Sequence, residues 1–111
     1  TDRESTELFE FIHENTPADS HIKFYRPRIL ALFTGRDSSI YNLSKLSETD
    51  IRQEFRLTGA THLLLYKGEE DWAFKPQNAE LVATLGNDLN IIFENTHFRL
   101  YKITYHDGQI D

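Results

Sequence analysis

The stretch Thr61-His62-Leu63-Leu64-Leu65-Tyr66 constrains the fold of this chain more than any other. A strand turns alternate residues to opposite faces of its sheet, so a run that is apolar at consecutive positions must be covered on both faces. That requirement points to a central strand in a sheet with helices on either side, and the flanking segments supply the helices.

From Ser5 or Thr6, good N-cap residues, Leu8, Phe9, Phe11 and Ile12 recur at helical spacing until Asn15-Thr16-Pro17 stops the pattern. After the turn Pro17-Ala18-Asp19-Ser20, His21 to Tyr25 alternates as a strand does, with Ile22 and Phe24 facing one side. Pro27 suits the first position of a second helix, Ile29, Leu32 and Phe33 follow at helical spacing, and Gly35 supplies the stop. A weak strand around Ser39-Ile40-Tyr41-Asn42 precedes a third helix, with Ser47 as N-cap, Leu46 stapled against Ile51, and an end at Gly59. Beyond the central strand come an acidic loop from Lys67 to Trp72 and a helix from Asn78 to Leu85 ended by Gly86-Asn87. Strands over Leu89 to Glu94 and Phe98 to Ile103 are joined by Asn95-Thr96-His97, a hairpin length, and the tail from Asp107 is expected to fray. This alternation predicts an α/β fold: a three-layer, Rossmann-like domain whose mainly parallel sheet of about five strands ends in a C-terminal antiparallel hairpin. The expected strand order is 2-1-3-5-4, with the last strand beside the central one.

The 111 residues, 39% of them apolar, suffice for one core and one domain spanning residues 1–111. Cysteine is absent, which excludes a disulfide framework, a thiolate metal site and a cysteine nucleophile, and no run approaches the roughly 20 apolar residues that span a bilayer. The chain opens on Thr1 and contains no Met, so it reads as a piece excised from a larger protein, whose remainder would hold membrane segments, chemistry or both. A net charge of -6 argues against nucleic acid as a partner. The basic residues are nevertheless concentrated: between positions 23 and 45, Lys23, Arg26, Arg28, Arg36 and Lys45 face only Asp37.

Chemistry-bearing motifs are mostly missing. Where a dinucleotide site needs a glycine-rich turn after the first strand, the chain has Arg26-Pro27-Arg28, and it holds no P-loop and no serine elbow. The five histidines lie on separate elements without paired spacing, so no metal and no cofactor are expected; His62 reads as a satisfied residue at a strand start and the others as surface. Glu69-Glu70-Asp71 reads as a solvated loop rather than a cation site. Trp72 and Phe74 pack onto the sheet or serve as an aromatic platform for a sugar ring or a membrane headgroup layer. Asn42-Leu43-Ser44 matches the N-glycosylation triplet. Two readings stand for Arg26, Arg28 and Arg36: an anion site at a strand end beside a helix N-terminus, or bracing through carboxylates such as Asp37 and Glu48.

Together, Leu8-Phe9-Glu10-Phe11-Ile12 with Glu14-Asn15-Thr16-Pro17, Arg26-Pro27-Arg28 with Leu32-Phe33-Thr34-Gly35-Arg36, Gly59-Ala60-Thr61-His62-Leu63-Leu64, and Phe93-Glu94-Asn95 with Phe98-Arg99-Leu100-Tyr101-Lys102-Ile103 carry a resemblance. The chain resembles the extracytoplasmic C-terminal domain of bacterial polytopic glycosyltransferases, similar to the dolichyl-phosphate-mannose protein mannosyltransferase group (family 39) and to lipid A aminoarabinose transferases. The P-R and T-G-R pair is its most distinctive element. The resemblance implies a membrane parent that uses a polyprenyl-phosphate-linked sugar donor, with catalytic acids in loops outside this chain, so no residue here inherits a catalytic role. It implies as partners the transmembrane region of the parent and a polyprenyl-phosphate lipid, and as location the extracytoplasmic (periplasmic) face of a membrane. The expected function is a non-catalytic accessory domain of a glycosyltransferase-like protein. The competing expectation is a self-contained small-ligand or protein-binding α/β domain whose parent transfers no sugar.

Overall fold

The computed structural model describes residues 3–41, 48–67 and 75–106. Ser47 and Leu46, the Asn42 triplet, the acids Glu69-Glu70-Asp71, Trp72, Phe74 and the tail from Asp107 lie outside these described residues. In chain order the elements are α1 (Arg3–Asn15), β1 (His21–Lys23), α2 (Pro27–Thr34), β2 (Asp37–Ser39), α3 (Glu48–Leu57), β3 (His62–Tyr66), α4 (Lys75–Leu85), a single 3-10 turn (Gly86–Asp88), β4 (Leu89–Glu94) and β5 (Phe98–Ile103).

The five strands form one mixed sheet in the order β2-β1-β3-β5-β4, as expected from the sequence. β1 pairs in parallel with β2 and β3, whereas β5 is antiparallel to both β3 and β4. Successive leucines of β3 separate onto its two faces. Leu64 joins Leu8, Ile12, Ile22, Phe24, Leu30 and Leu100 under α1 and α2, while Leu63 and Leu65 join Ile51, Phe55, Leu81 and Leu85 under α3 and α4. The run that no one-sided sheet tolerates is buried by helices on both sides.

Boundaries moved where tertiary contacts outweigh local signals. α1 begins at Arg3, so Ser5 and Thr6 lie inside it instead of capping it. Its first turn is held by the β4–β5 turn: Asn95 Nδ2 donates to the Glu4 carbonyl (3.1 Å), and the His97 N–H donates to Glu4 Oε1 (2.8 Å). β2 starts at Asp37, two residues before the expected strand, because its register pairs Asp37 to Ser39 with His21 to Lys23.

The outward face of α2 also differs from the expected one. Leu30 and Thr34 are the buried residues, and Ile29, Leu32 and Phe33 are exposed. Five consecutive apolar residues from Ile29 to Phe33 leave the periodicity with no polar face to mark the outside. The choice falls to the strand that precedes the helix and to the anchor that follows it.

Lys23 is 0% exposed, placed there by the same two-sided burial. It alternates with Ile22 and Phe24, so it enters the layer under α3, where Nζ donates to Glu54 Oε2 (2.8 Å) and lies 5.3 Å from the Phe55 ring centroid. On the same helix, Arg52 Nη1 donates to buried Asp88, which also bonds the His106 ring at 2.8 Å, joining α3 to the chain after β5. Burial by itself would raise the Asp88 pKa, but the hydrogen bonds from His106 and Arg52 outweigh it and hold the carboxyl below its usual range.

Candidate functional site

The chain leaves β1 for β2 on one side and reaches β3 on the other, so the crevice between the carboxyl ends of β1 and β3 is the topological switch point of the sheet. β1 runs out there through Phe24, Tyr25 and Arg26, α2 starts there at Pro27, and β3 ends there at Tyr66, with Lys67 next in the chain. The rings interlock. Tyr25 and Tyr66 lie 6.2 Å apart, Phe24 meets Tyr25 edge-on at 4.8 Å, and His97 stacks on Tyr66 at 5.9 Å. The His97 backbone and ring are both fixed by Glu4, the ring at 3.1 Å, which sets the imidazole plane against Tyr66.

Cations surround these rings. The Arg26 guanidinium lies 5.3 Å from the Tyr25 ring centroid, and Arg26 and Arg28 are both exposed. On the other side, Lys67 Nζ (2.6 Å), Arg99 Nη2 (2.7 Å) and Arg99 Nε (3.0 Å) all donate to Glu94 Oε2. These bonds, from Arg99 first and then Lys67, pull the Glu94 pKa down to about 2 and raise that of Arg99 above its ordinary value. Next to Tyr66 and Lys67 opens a cleft of about 470 Å³ between α4 and the β3–β5 pair, walled by Leu65, Val82, Tyr101 and Asn78. Asn78 is held in it, accepting from Tyr41 Oη (3.0 Å) and donating to the Tyr66 carbonyl (3.3 Å). Rings beside cations suit binding: a π face for an apolar or sugar ring, a guanidinium for an anion.

The three candidate arginines are divided by α2. Arg26 and Arg28 stand at its N-terminus, at the carboxyl edge of the sheet, while Arg36 follows its C-terminus at the opposite edge. Arg36 is buried and donates to backbone carbonyls and a hydroxyl instead of to a carboxylate: Nη2 to the carbonyls of His13 (2.9 Å) and Thr16 (3.0 Å), Nη1 to that of Thr34 (3.3 Å), and Nε to Thr16 Oγ1 (3.1 Å). One guanidinium thereby joins the C-terminal ends of α1 and α2, which leave carbonyls without helical partners and carry partial negative charge. The rest of the T-G-R element serves the same join. Gly35 takes a left-handed conformation (φ 70°) with its N–H on the Ala31 carbonyl, and Thr34 Oγ1 accepts from the Arg36 N–H (3.2 Å).

His62 is buried at the start of β3, with Nδ1 2.8 Å from Thr61 Oγ1, as the sequence suggested. Burial, with Lys102 adding to it, lowers its pKa to about 4. His21 bonds Ser39 Oγ at 2.7 Å across the β1–β2 pair, and burial, then Lys23, lowers its pKa too. Sequence reasoning missed the Glu4–His97 clamp, the Lys67–Glu94–Arg99 bridge and buried Lys23. Only Lys23 had a readable signal, a charge set inside a strand adjacent to the two-sided one.

No protein-family model matches the chain, and no curated protein matches it in sequence. A solved structure shares its fold. The crystal structure of the C-terminal globular domain of an oligosaccharyltransferase from Archaeoglobus fulgidus aligns with a TM-score of 0.64, over 94% of this chain and 99% of that one. Sequence identity over the alignment is 8%, so the likeness is one of fold. Among the described residues no helix is long and apolar enough to cross a membrane.

Proposed function

We propose that this chain is the non-catalytic, extracytoplasmic (periplasmic) domain of a membrane-bound glycosyltransferase-like protein that uses a polyprenyl-phosphate-linked sugar donor. The observation that carries the reading is the shared fold with a C-terminal globular domain of an oligosaccharyltransferase, which covers nearly the whole of both chains. The P-R and T-G-R elements, which begin and end α2, are the most distinctive part of the sequence resemblance behind this reading. In this reading the domain is attached to the transmembrane region of its own parent and helps position acceptor or donor through the edge bearing Tyr25, Tyr66 and Arg26. Sequencing the reading frame that encodes the chain is expected to reveal several apolar spans of about 20 residues upstream of Thr1. A start codon adjacent to Thr1 overturns the reading.

Exposed Arg26, against the Tyr25 ring at the start of α2, is the candidate contact for lipid phosphate, beside a helix N-terminus without a side-chain cap. Titrating the purified domain with a short-chain polyprenyl phosphate is expected to shift the Arg26 side-chain NMR signals saturably, and the variant Arg26→Ala is expected to lose the binding. Unchanged affinity in that variant removes lipid phosphate from its role. The cleft beside Tyr66 favours a second reading, a small-ligand domain, because its volume lies in the range of ligand sites and cations stand on one side of it.

A further inference from the structure

Among the described residues, the most anomalous surface is the outward face of α2. On a surface helix the outward stripe is normally polar. Here it consists of Arg28, Ile29 (40% exposed), Leu32 (78%) and Phe33 (52%), with Phe33 stacked on Phe9 of α1 at 5.2 Å and 5°. Arg28 stands at one end of this patch. At the other, beyond Phe33, a groove of about 370 Å³ between α1 and α2 is bordered by Glu10, His13 and Glu14. An apolar strip with a cation at one end and carboxylates at the other matches a protein surface with the reverse arrangement, acidic opposite Arg28 and basic opposite Glu10 and Glu14. A uniformly anionic lipid surface would attract one end and repel the other.

Size narrows the occupant further. Three exposed side chains on an eight-residue helix offer apolar area on the order of 300 Å², short of the roughly 450 Å² of apolar surface that each partner of a stable, freely diffusing complex buries. A patch that small binds weakly on its own and suits a partner that a covalent link keeps at a high effective concentration, about millimolar for a short tether. We infer that the α2 face, with Phe9 and the carboxylates of α1, docks on an extracytoplasmic protein surface of its own parent's membrane region. This inference rests on the proposed function and specifies the face by which the domain is seated. It gives the exposed leucine a role: Leu32 is the central anchor and Arg28 selects the orientation.

The test compares Leu32→Cys with Leu57→Cys, which lies on α3 and is equally exposed at 78%. In the excised domain both thiols are expected to react with a membrane-impermeant maleimide at similar rates. In the full-length parent, in native membranes, Leu32→Cys is expected to react at least about ten-fold more slowly while Leu57→Cys is unchanged, and the protection is expected to survive extraction into mild detergent. Equal labelling of the two thiols in the parent overturns the docking. Protection that vanishes in detergent assigns the face to lipid, and concentration-dependent protection in the excised domain assigns it to a second copy; either result also overturns it. A parent without membrane spans fails the proposed function itself, which the reading frame shows before any labelling is done.

Discussion

Arg36→Ala is expected to lower the unfolding free energy by about 4 kcal/mol and Tm by roughly 15–20 °C, read by urea and thermal unfolding. The guanidinium is buried and donates to three carbonyls and a hydroxyl at the ends of two helices. Truncation leaves those acceptors without a donor in a site sealed by α1, α2 and the turn at Gly35. Each buried acceptor left unpaired costs on the order of 1–3 kcal/mol, reduced where water enters the space that the side chain vacates. Lysine at this position is expected to restore little, because a single ammonium cannot span the carbonyls of His13, Thr16 and Thr34 with the planar fork of an arginine. Arg28→Ala, on the exposed face of the same helix, is the control and is expected to change stability by less than about 0.5 kcal/mol. A loss below about 1 kcal/mol for Arg36→Ala would show that the helix ends find other donors, and the bracing role would fall.

The second large effect is a loss of stability in mild acid centred on His62. Its folded pKa of about 4 lies below the unfolded value of about 6.5. The folded protein therefore holds the neutral imidazole while the unfolded chain takes up a proton. The stability at stake is fully present above about pH 6.5 and declines as pH falls toward 4, by up to about 3 kcal/mol from this residue. Depression of the His21 pKa acts in the same direction and steepens the slope. Urea unfolding at intervals across this window is expected to show midpoints falling steadily toward acid, with most of the slope absent in His62→Gln. An unchanged slope in that variant would place the acid sensitivity elsewhere.

The T-G-R element shows how far a motif can be read before the fold is known. Its glycine is legible as a helix stop, because a left-handed residue is what ends a helix and glycine adopts it without strain. Its arginine is not. Three arginines around an apolar run allow an anion site and favour a brace, and the brace at Arg36 uses helix-end carbonyls, which have no sequence signature. The same holds for Glu4 and His97, 93 residues apart, whose contact fixes the start of α1 and the plane of a ring at the candidate site.

What this sequence determined by itself was the class of fold, the order of the helices and strands among the described residues, and the place of the central strand. Each follows from periodicity and from the demand that an all-apolar strand be covered twice. The tertiary structure alone decided which side of α2 faces water, which charges are buried, and which arginine is taken up in bracing. The physical reason is range: periodicity and capping act over a few residues, whereas Lys23 with Glu54, Arg36 with His13 and Asp88 with His106 meet only after the sheet has assembled.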